Sequence, residues 1–265
     1  MKVVVWNMAG KSSNWRWMRQ QLNLADVDLA LLSEAPRAPR GVRVIGRHRT
    51  VGLERSLGPD FPVKREWAAF VMSNHHMELI TDARRDRYYG QELPFGPSRP
   101  GTWTAVRVTV GRTEMTVISI YGLLDERSDA SVHRSLSEMA PVFDHPEYGR
   151  YLLLGGDLNI LSNPRPSDRV RARHQNVLDR IAAYGLIDCL EAKRPWIALP
   201  GCPCGKGRGC RHTWTKRVKG KNVAYQDDYL FASPRLAKRL ETCVALPFTA
   251  DSPSDHTPIV ATFDV

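Results

Sequence analysis

Short apolar runs of strand length, closed by turn residues, recur along the whole chain and restrict it to a fold built mainly from sheets. They lie at residues 3–6, 29–32, 68–72, 104–110, 115–120, 151–154, 229–231 and 259–263 and read as strands. Fewer stretches carry helical spacing: residues 15–24, 131–142 and 169–184, the last with Val170, Val177, Leu178 and Ile181 on one face and Gly185 placed to end it. Many strands with a few interspersed helices predict two packed sheets with helices outside, rather than a purely parallel doubly wound sheet. At 265 residues, without an internal repeat, one domain over 1–265 is expected.

The charge balance narrows the partners. Lys and Arg total 38 against 28 Asp and Glu, a formal +10, so the long-range field favours a polyanion, nucleic acid first. The bland alternative is a basic surface that only keeps the protein soluble. Residues 36–62 and 84–100 are rich in Arg, Gly and Pro and read as surface loops, either touching a phosphate backbone or merely solvated. No apolar run approaches the roughly 20 residues that span a bilayer, and the N-terminus enters an apolar strand straight after Lys2, unlike a secretion signal. A cytoplasmic, monomeric protein is expected. Of the five cysteines, Cys189 and Cys243 sit in apolar surroundings and read as buried reduced thiols.

Chemistry collects at strand ends. In VVVWN, Asn7 follows a strand; in LALLSE, Glu34 does. In YLLLGGDLN, Asp157 and Asn159 follow two glycines expected to free the backbone for a sharp turn. In SPSDHTPIV, Asp255 and His256 precede a strand. A carboxylate beside a core strand is costly unless it shares a cation or a hydrogen-bond network, so four such segments point to one site.

At these residues the sequence resembles the endonuclease/exonuclease/phosphatase superfamily, the DNase I-like proteins, whose motifs run WN, a strand-end Glu, GDxN and SDH in this order. The resemblance implies an α/β fold, the four-layer α/β/β/α sandwich, and hydrolysis of a phosphate ester. It further implies that Glu34 ligates Mg²⁺ or Mn²⁺, with Asn7 positioning the metal and Asp255 near or in its shell. Asp157 would orient or deprotonate the attacking water, Asn159 would bond the phosphate, and His256 would donate to a non-bridging oxygen. Tyr121, in ISIYG, matches the family's phosphate-facing tyrosine; the alternative is an ordinary half-buried strand tyrosine.

Within that superfamily KNVAYQDDYLFAS and HTWT are similar to the exonuclease III-type abasic-site endonucleases. The match makes Asp228, rather than Asp227, the acceptor that orients His256, and makes Trp214 and Tyr225 the aromatics lining a pocket for a flipped-out sugar. Two positions depart from that branch. Ala9 stands where a metal-shell Asp is common, which implies weaker metal affinity, and GLLDE follows Tyr121 where Pro and Asn are usual, which implies different substrate contacts.

One loop remains, expected over residues 200–221. GCPCGKGRGCRHTW places Cys202, Cys204, Cys210 and His212 together, soft ligands that suit tetrahedral structural zinc. A disulfide, reduced thiols, or a substrate-contacting His212 are the alternatives. Lys206, Arg208, Arg211, Lys216, Arg217, Lys219 and Lys221 make this loop the best candidate for nucleic-acid contact, Arg211, Lys216 and Arg217 above all, with DNA ahead of RNA. Three functions follow in order: a metal-dependent nuclease, a phosphatase of a small phosphate ester on the same fold, and a non-catalytic nucleic-acid-binding module.

Overall fold

A computed structural model describes residues 1–46, 68–81, 95–124, 128–160, 167–193, 202–204, 210–218, 220–249 and 251–265. The basic-loop expectations over much of 36–62 and 84–100, and at Lys206, Arg208 and Lys219, lie outside them.

The first six-stranded sheet centres on β1 (Lys2–Asn7), which runs parallel to β2 (Leu29–Ser33) and antiparallel to β14 (Ile259–Phe263). One edge is extended by β4 (Ala69–Ser73) and β3 (Val44–Ile45), the other by β13 (Leu240–Ala245). The second sheet runs β5 (Met77–Leu79), β6 (Trp103–Val110), β7 (Thr113–Tyr121), β8 (Leu152–Asp157), β12 (Asp228–Ala232) and β9 (Ile187–Asp188). A separate ribbon pairs β10 (Trp214–Val218) with β11 (Lys221–Tyr225).

Alternation along the strands decides the layers, since successive side chains point to opposite faces. From β1, Val3 and Val5 enter a core between the sheets, joined there by Leu31 of β2, Val117 of β7 and Leu153 of β8. Val4 and Trp6 face the other way, onto Trp15, Met18 and Leu22 of α1 (Ser13–Leu22). Across the second sheet Ile118, Ile120 and Leu154 meet Leu136 and Met139 of α2 (Ser128–Phe143) and Val177 and Ile181 of α3 (Asp168–Ala183). Both faces of each sheet are covered, so the strands read as continuous apolar runs instead of alternating ones. The result is the four-layer α/β/β/α sandwich, completed by the short helices α4 (Cys189–Ala192) and α5 (Pro234–Ala237).

Several local expectations change. The helix expected over 15–24 ends at Leu22, because Asn23 turns left-handed (φ 49) and a 3₁₀ turn follows. Gly185 does end α3, at φ +77. The glycine pair of YLLLGGDLN makes no turn: Gly155 and Gly156 are strand residues of β8. A Cβ on Gly156 would strike the Ile120 carbonyl, and one on Gly155 would meet the Tyr229 carbonyl at 2.8 Å, so here glycine permits close strand packing. A left-handed residue comes two residues after β8 ends, at Asn159, with φ 50. Cys189 and Cys243 are buried in the inter-sheet core. Among the described residues no helix is long and apolar enough to cross a membrane.

Candidate active site

Strand register gathers the chemistry at one end of the sandwich. Asn7 pairs with Ser33 at the ends of β1 and β2, and Glu34 follows directly. On the second sheet Asp157 ends β8 with Tyr121 on one side and Asp228 on the other. Two carboxylates directly opposite each other repel, so a cation between Asp157 and Asp228 favours the ionised pair.

His256 supplies it. Its Nδ1 lies 2.7 Å from Asp228 Oδ2 and its Nε2 4.0 Å from Asp157 Oδ2, and all three residues are buried. Ser254 positions this segment, donating to the Asn7 carbonyl at 2.8 Å while accepting the His256 amide at 3.1 Å. Burial pushes the imidazole down, but the charge and hydrogen bond of Asp228, with the charges of Asp157 and Asp255, overcome it and raise the pKa to about 10. Burial, aided by the charge of Asp228, raises the Asp157 carboxyl to about 7 against the lowering pull of His256. The group therefore holds an imidazolium beside a carboxyl that titrates near neutrality.

Asn7 joins the two sheets. Its amide nitrogen donates to Asp157 Oδ2 at 2.7 Å and to Glu34 Oε1 at 3.0 Å, while its oxygen accepts the Ala9 amide at 2.9 Å. Glu34, half-buried, sits at a left-handed φ of 49, a conformation that costs a non-glycine residue about 1 kcal/mol and marks a constrained site. The Tyr121 hydroxyl donates to the same Glu34 oxygen at 2.9 Å. Tyr121, the last residue of β7, is fully buried. Asn159 bends back on Asp157, its amide donating to Oδ1 at 2.8 Å, and its side chain donates to the Gly122 carbonyl at 2.7 Å.

The ribbon borders this group. Trp214 and Tyr225 are paired residues of β10 and β11 with ring centroids 5.6 Å apart, and Trp214 lies 6.3 Å from the His256 ring. The Trp214 indole donates to Asp255 Oδ2 at 2.9 Å, which places the exposed Asp255 against the aromatic wall. The Lys216 ammonium lies 5.9 Å from the Trp214 ring. Arg211 is turned elsewhere: its guanidinium bonds Glu191 and lies 3.9 Å from Asp188, tying the loop to α4 instead of presenting an open cation. Arg217 belongs to β10, but its side chain falls outside the described residues.

Two residues that sequence reasoning missed complete the site. The Thr213 hydroxyl accepts the amides of Asp227 and Asp228 at 3.1 and 3.0 Å, and its carbonyl accepts the Thr257 amide at 2.6 Å. Thr213 thus braces both the strand of Asp228 and the segment of His256. Its place in HTWT was visible, but nothing in a sequence marks a threonine as a double acceptor. Asp227 is buried, and burial with the charges of Asp157 and Asp228 pushes its carboxyl well above the ordinary range. Oδ1 of Asp227 and Oδ1 of Asp228 have no hydrogen-bond partner among the described residues, so the site leaves buried oxygens for a bound group.

No family model and no curated protein matches the chain. Solved structures do match in fold. The endonuclease domain of TRAS1, a telomere-specific non-LTR retrotransposon, aligns at a TM-score of 0.65 and 17% identity, covering 100% of this chain and 98% of the other. An AP endonuclease from Archaeoglobus fulgidus aligns at 0.63 and 18%, covering 100% of both chains. D. rerio TDP2 complexed with a single-strand DNA product aligns at 0.55 and 14%, covering 100% and 99%. The fold is therefore the one these structures share, the four-layer sandwich that the motifs predicted.

Proposed function

We propose that the chain is a divalent-metal-dependent phosphodiesterase that hydrolyses phosphate ester bonds in nucleic acid. The observation that carries this reading is the buried Asp157–His256–Asp228 group, in which a carboxyl titrating near neutrality faces an imidazolium beside two aromatic rings. The structural neighbours support it, since two are described as endonucleases and the TDP2 structure holds a single-strand DNA product.

The donor set fits a hard cation: Glu34 offers a carboxylate at the end of β2, and the buried Asp227 and Asp228 each leave one oxygen without a hydrogen-bond partner among the described residues. Glu34 would hold Mg²⁺ or Mn²⁺, with Asn7 and Asp255 beside it. When bound, such an ion neutralises the phosphate and the departing oxygen.

The chain's own residues do the rest. Asp157 takes a proton from the attacking water, a task matched to a pKa of about 7. His256, held by Asp228 through Nδ1, donates from Nε2 to a non-bridging phosphate oxygen as charge builds there. Asn159 holds the Gly122 carbonyl with one amide hydrogen and would offer phosphate the other, which here is bonded to Tyr121. Tyr121 fixes Glu34.

The test is cleavage of matched labelled single- and double-stranded DNA, RNA and an abasic-site duplex in Mg²⁺, Mn²⁺ or EDTA. Cutting of at least one substrate, in metal only, is expected. Turnover of a small phosphate ester with no nucleic acid cut would replace this reading with the phosphatase one. Binding without cleavage in both metals would mark a non-catalytic module.

Trp214 and Tyr225 are assigned to stack on a base or sugar, a contact worth ~1–3 kcal/mol per base. Trp214→Ala is therefore expected to raise KM about 10- to 100-fold for an oligonucleotide, with kcat nearly unchanged. The KM of a minimal phosphodiester lacking a base should not move. If both substrates lose kcat instead, Trp214 acts through Asp255 and not by stacking.

A further inference from the structure

The cysteine loop that sequence left open is drawn into one cluster. Cys202 Sγ lies 3.4 Å from Cys210 Sγ and 3.3 Å from His212 Nδ1; Cys204 Sγ lies 3.7 Å from Cys210 Sγ, and Cys210 Sγ 3.4 Å from His212 Nδ1. All four ligand atoms fall within 4.8 Å of one another. None of the cysteines is in a disulfide, and the separations far exceed a sulfur–sulfur bond of about 2.05 Å.

Those lengths can be set against one ion. Zinc bonds of about 2.3 Å to sulfur and about 2.05 Å to nitrogen, at tetrahedral angles, put sulfurs about 3.8 Å apart and sulfur and nitrogen about 3.6 Å apart. Four of the six edges measure 3.3–3.7 Å, close to those lengths, and the other two are within 4.8 Å, as one shared centre requires. Three thiols and an imidazole are also the soft set that selects zinc over the hard cations suited to Glu34.

We propose that Cys202, Cys204, Cys210 and His212 bind one structural Zn²⁺, and that this knot fixes the ribbon that sets Trp214 beside His256. On binding, three thiols release their protons to solvent and His212 ligates as a neutral imidazole through Nδ1, leaving a site of net charge −1. Four ligands close the coordination sphere, so the ion is structural and holds no position for substrate water.

Its reach follows from chain order. Thr213 follows the ligand His212 directly; it braces the amides of Asp227 and Asp228 and the Thr257 segment, and its amide donates to the Tyr225 carbonyl at 2.8 Å. Trp214 comes next, bridged to His256. Arg211, on Glu191, holds the knot to α4. Without the ion, this corner rests on short turns and a two-stranded ribbon, an element with little stability of its own.

The knot is tested by metal content and hydrogen exchange. Native mass spectrometry of protein purified without chelator should show one zinc per chain, and cobalt exchanged for it should give the visible absorption of a tetrahedral thiolate site. Cys210→Ser should lose the stoichiometric zinc, whereas His256→Ala should keep it. On zinc removal, amides of residues 213–225 should exchange faster while those of β1 and β2 do not change. A chain that retains no zinc and gives no cobalt spectrum overturns the site, as does a mass lighter by two hydrogen atoms from a disulfide. Unchanged exchange in the ribbon overturns its structural role. Because zinc is counted without substrate, failure here leaves the phosphodiesterase reading standing, and an inactive protein with one zinc counts against that reading alone.

Discussion

Asp157→Asn should lower kcat by about 10³-fold while nucleic-acid affinity stays within about threefold. The amide keeps the shape of the carboxylate and can still accept the Asn159 amide, now at 2.8 Å. It meets the Asn7 amide nitrogen, at 2.7 Å in the wild type, with one hydrogen bond compromised, a loss of about 1 kcal/mol. The fold should therefore survive. What is lost is a base. A general base must be deprotonated to act, so burial that raises Asp157 to about 7 moves the rising limb of the wild-type rate up to neutral pH. The asparagine variant should lack that limb. Single-turnover rates against pH, with binding titrations beside them, decide the matter: an asparagine variant that retains the limb, or falls less than tenfold, removes Asp157 from proton transfer.

The eight apolar runs proved to be the inner strands of both sheets, because strands covered on both faces carry an unbroken apolar signal. Edge strands escaped notice: β3, β5 and β9 span only two or three residues, too short for periodicity to register, and in the longer β13 the exposed Glu241 and Thr242 interrupt the apolar run. The ribbon β10–β11 was also weak as a strand signal, since Lys216 and Lys221 interrupt the apolar residues along it. At the site, the residues at strand ends were legible because a polar side chain beside a core strand stands out from its neighbours. Contacts across the fold were not. That Asn7 bridges two carboxylates, or that Thr213 accepts two amides, depends on pairing between segments some 150 and 15 residues apart. The glycine pair shows the limit in reverse: residue type marked a special backbone position, but strand packing and not a turn was the reason.

His256→Ala is expected to remove about 10³-fold of kcat and to change the charge state of its neighbours. In the wild type, the imidazolium stands between two carboxylates that face each other across β8 and β12. Without it, Asp157 loses the one charge that lowers its pKa and keeps the burial that raises it. Its pKa must rise, so the acid limb of the residual rate should shift to higher pH. Stability carries a second signature. Breaking a buried ion pair costs about 3 kcal/mol, but the cost depends on pH with a definite sign. His256 is raised from 6.5 to about 10 on folding, so its contribution is fully present below pH 6.5 and fades as pH rises through 10. The gap in Tm between wild type and variant should accordingly be widest in mild acid and narrow toward pH 10. A constant gap would mean that the alanine variant loses only packing, and that His256 is neutral in the folded protein. Asp228→Asn supplies the intermediate case, because it keeps the ring and an acceptor oxygen but removes the negative charge 2.7 Å from Nδ1; the alkaline limb of its rate should move to lower pH as the imidazole pKa falls.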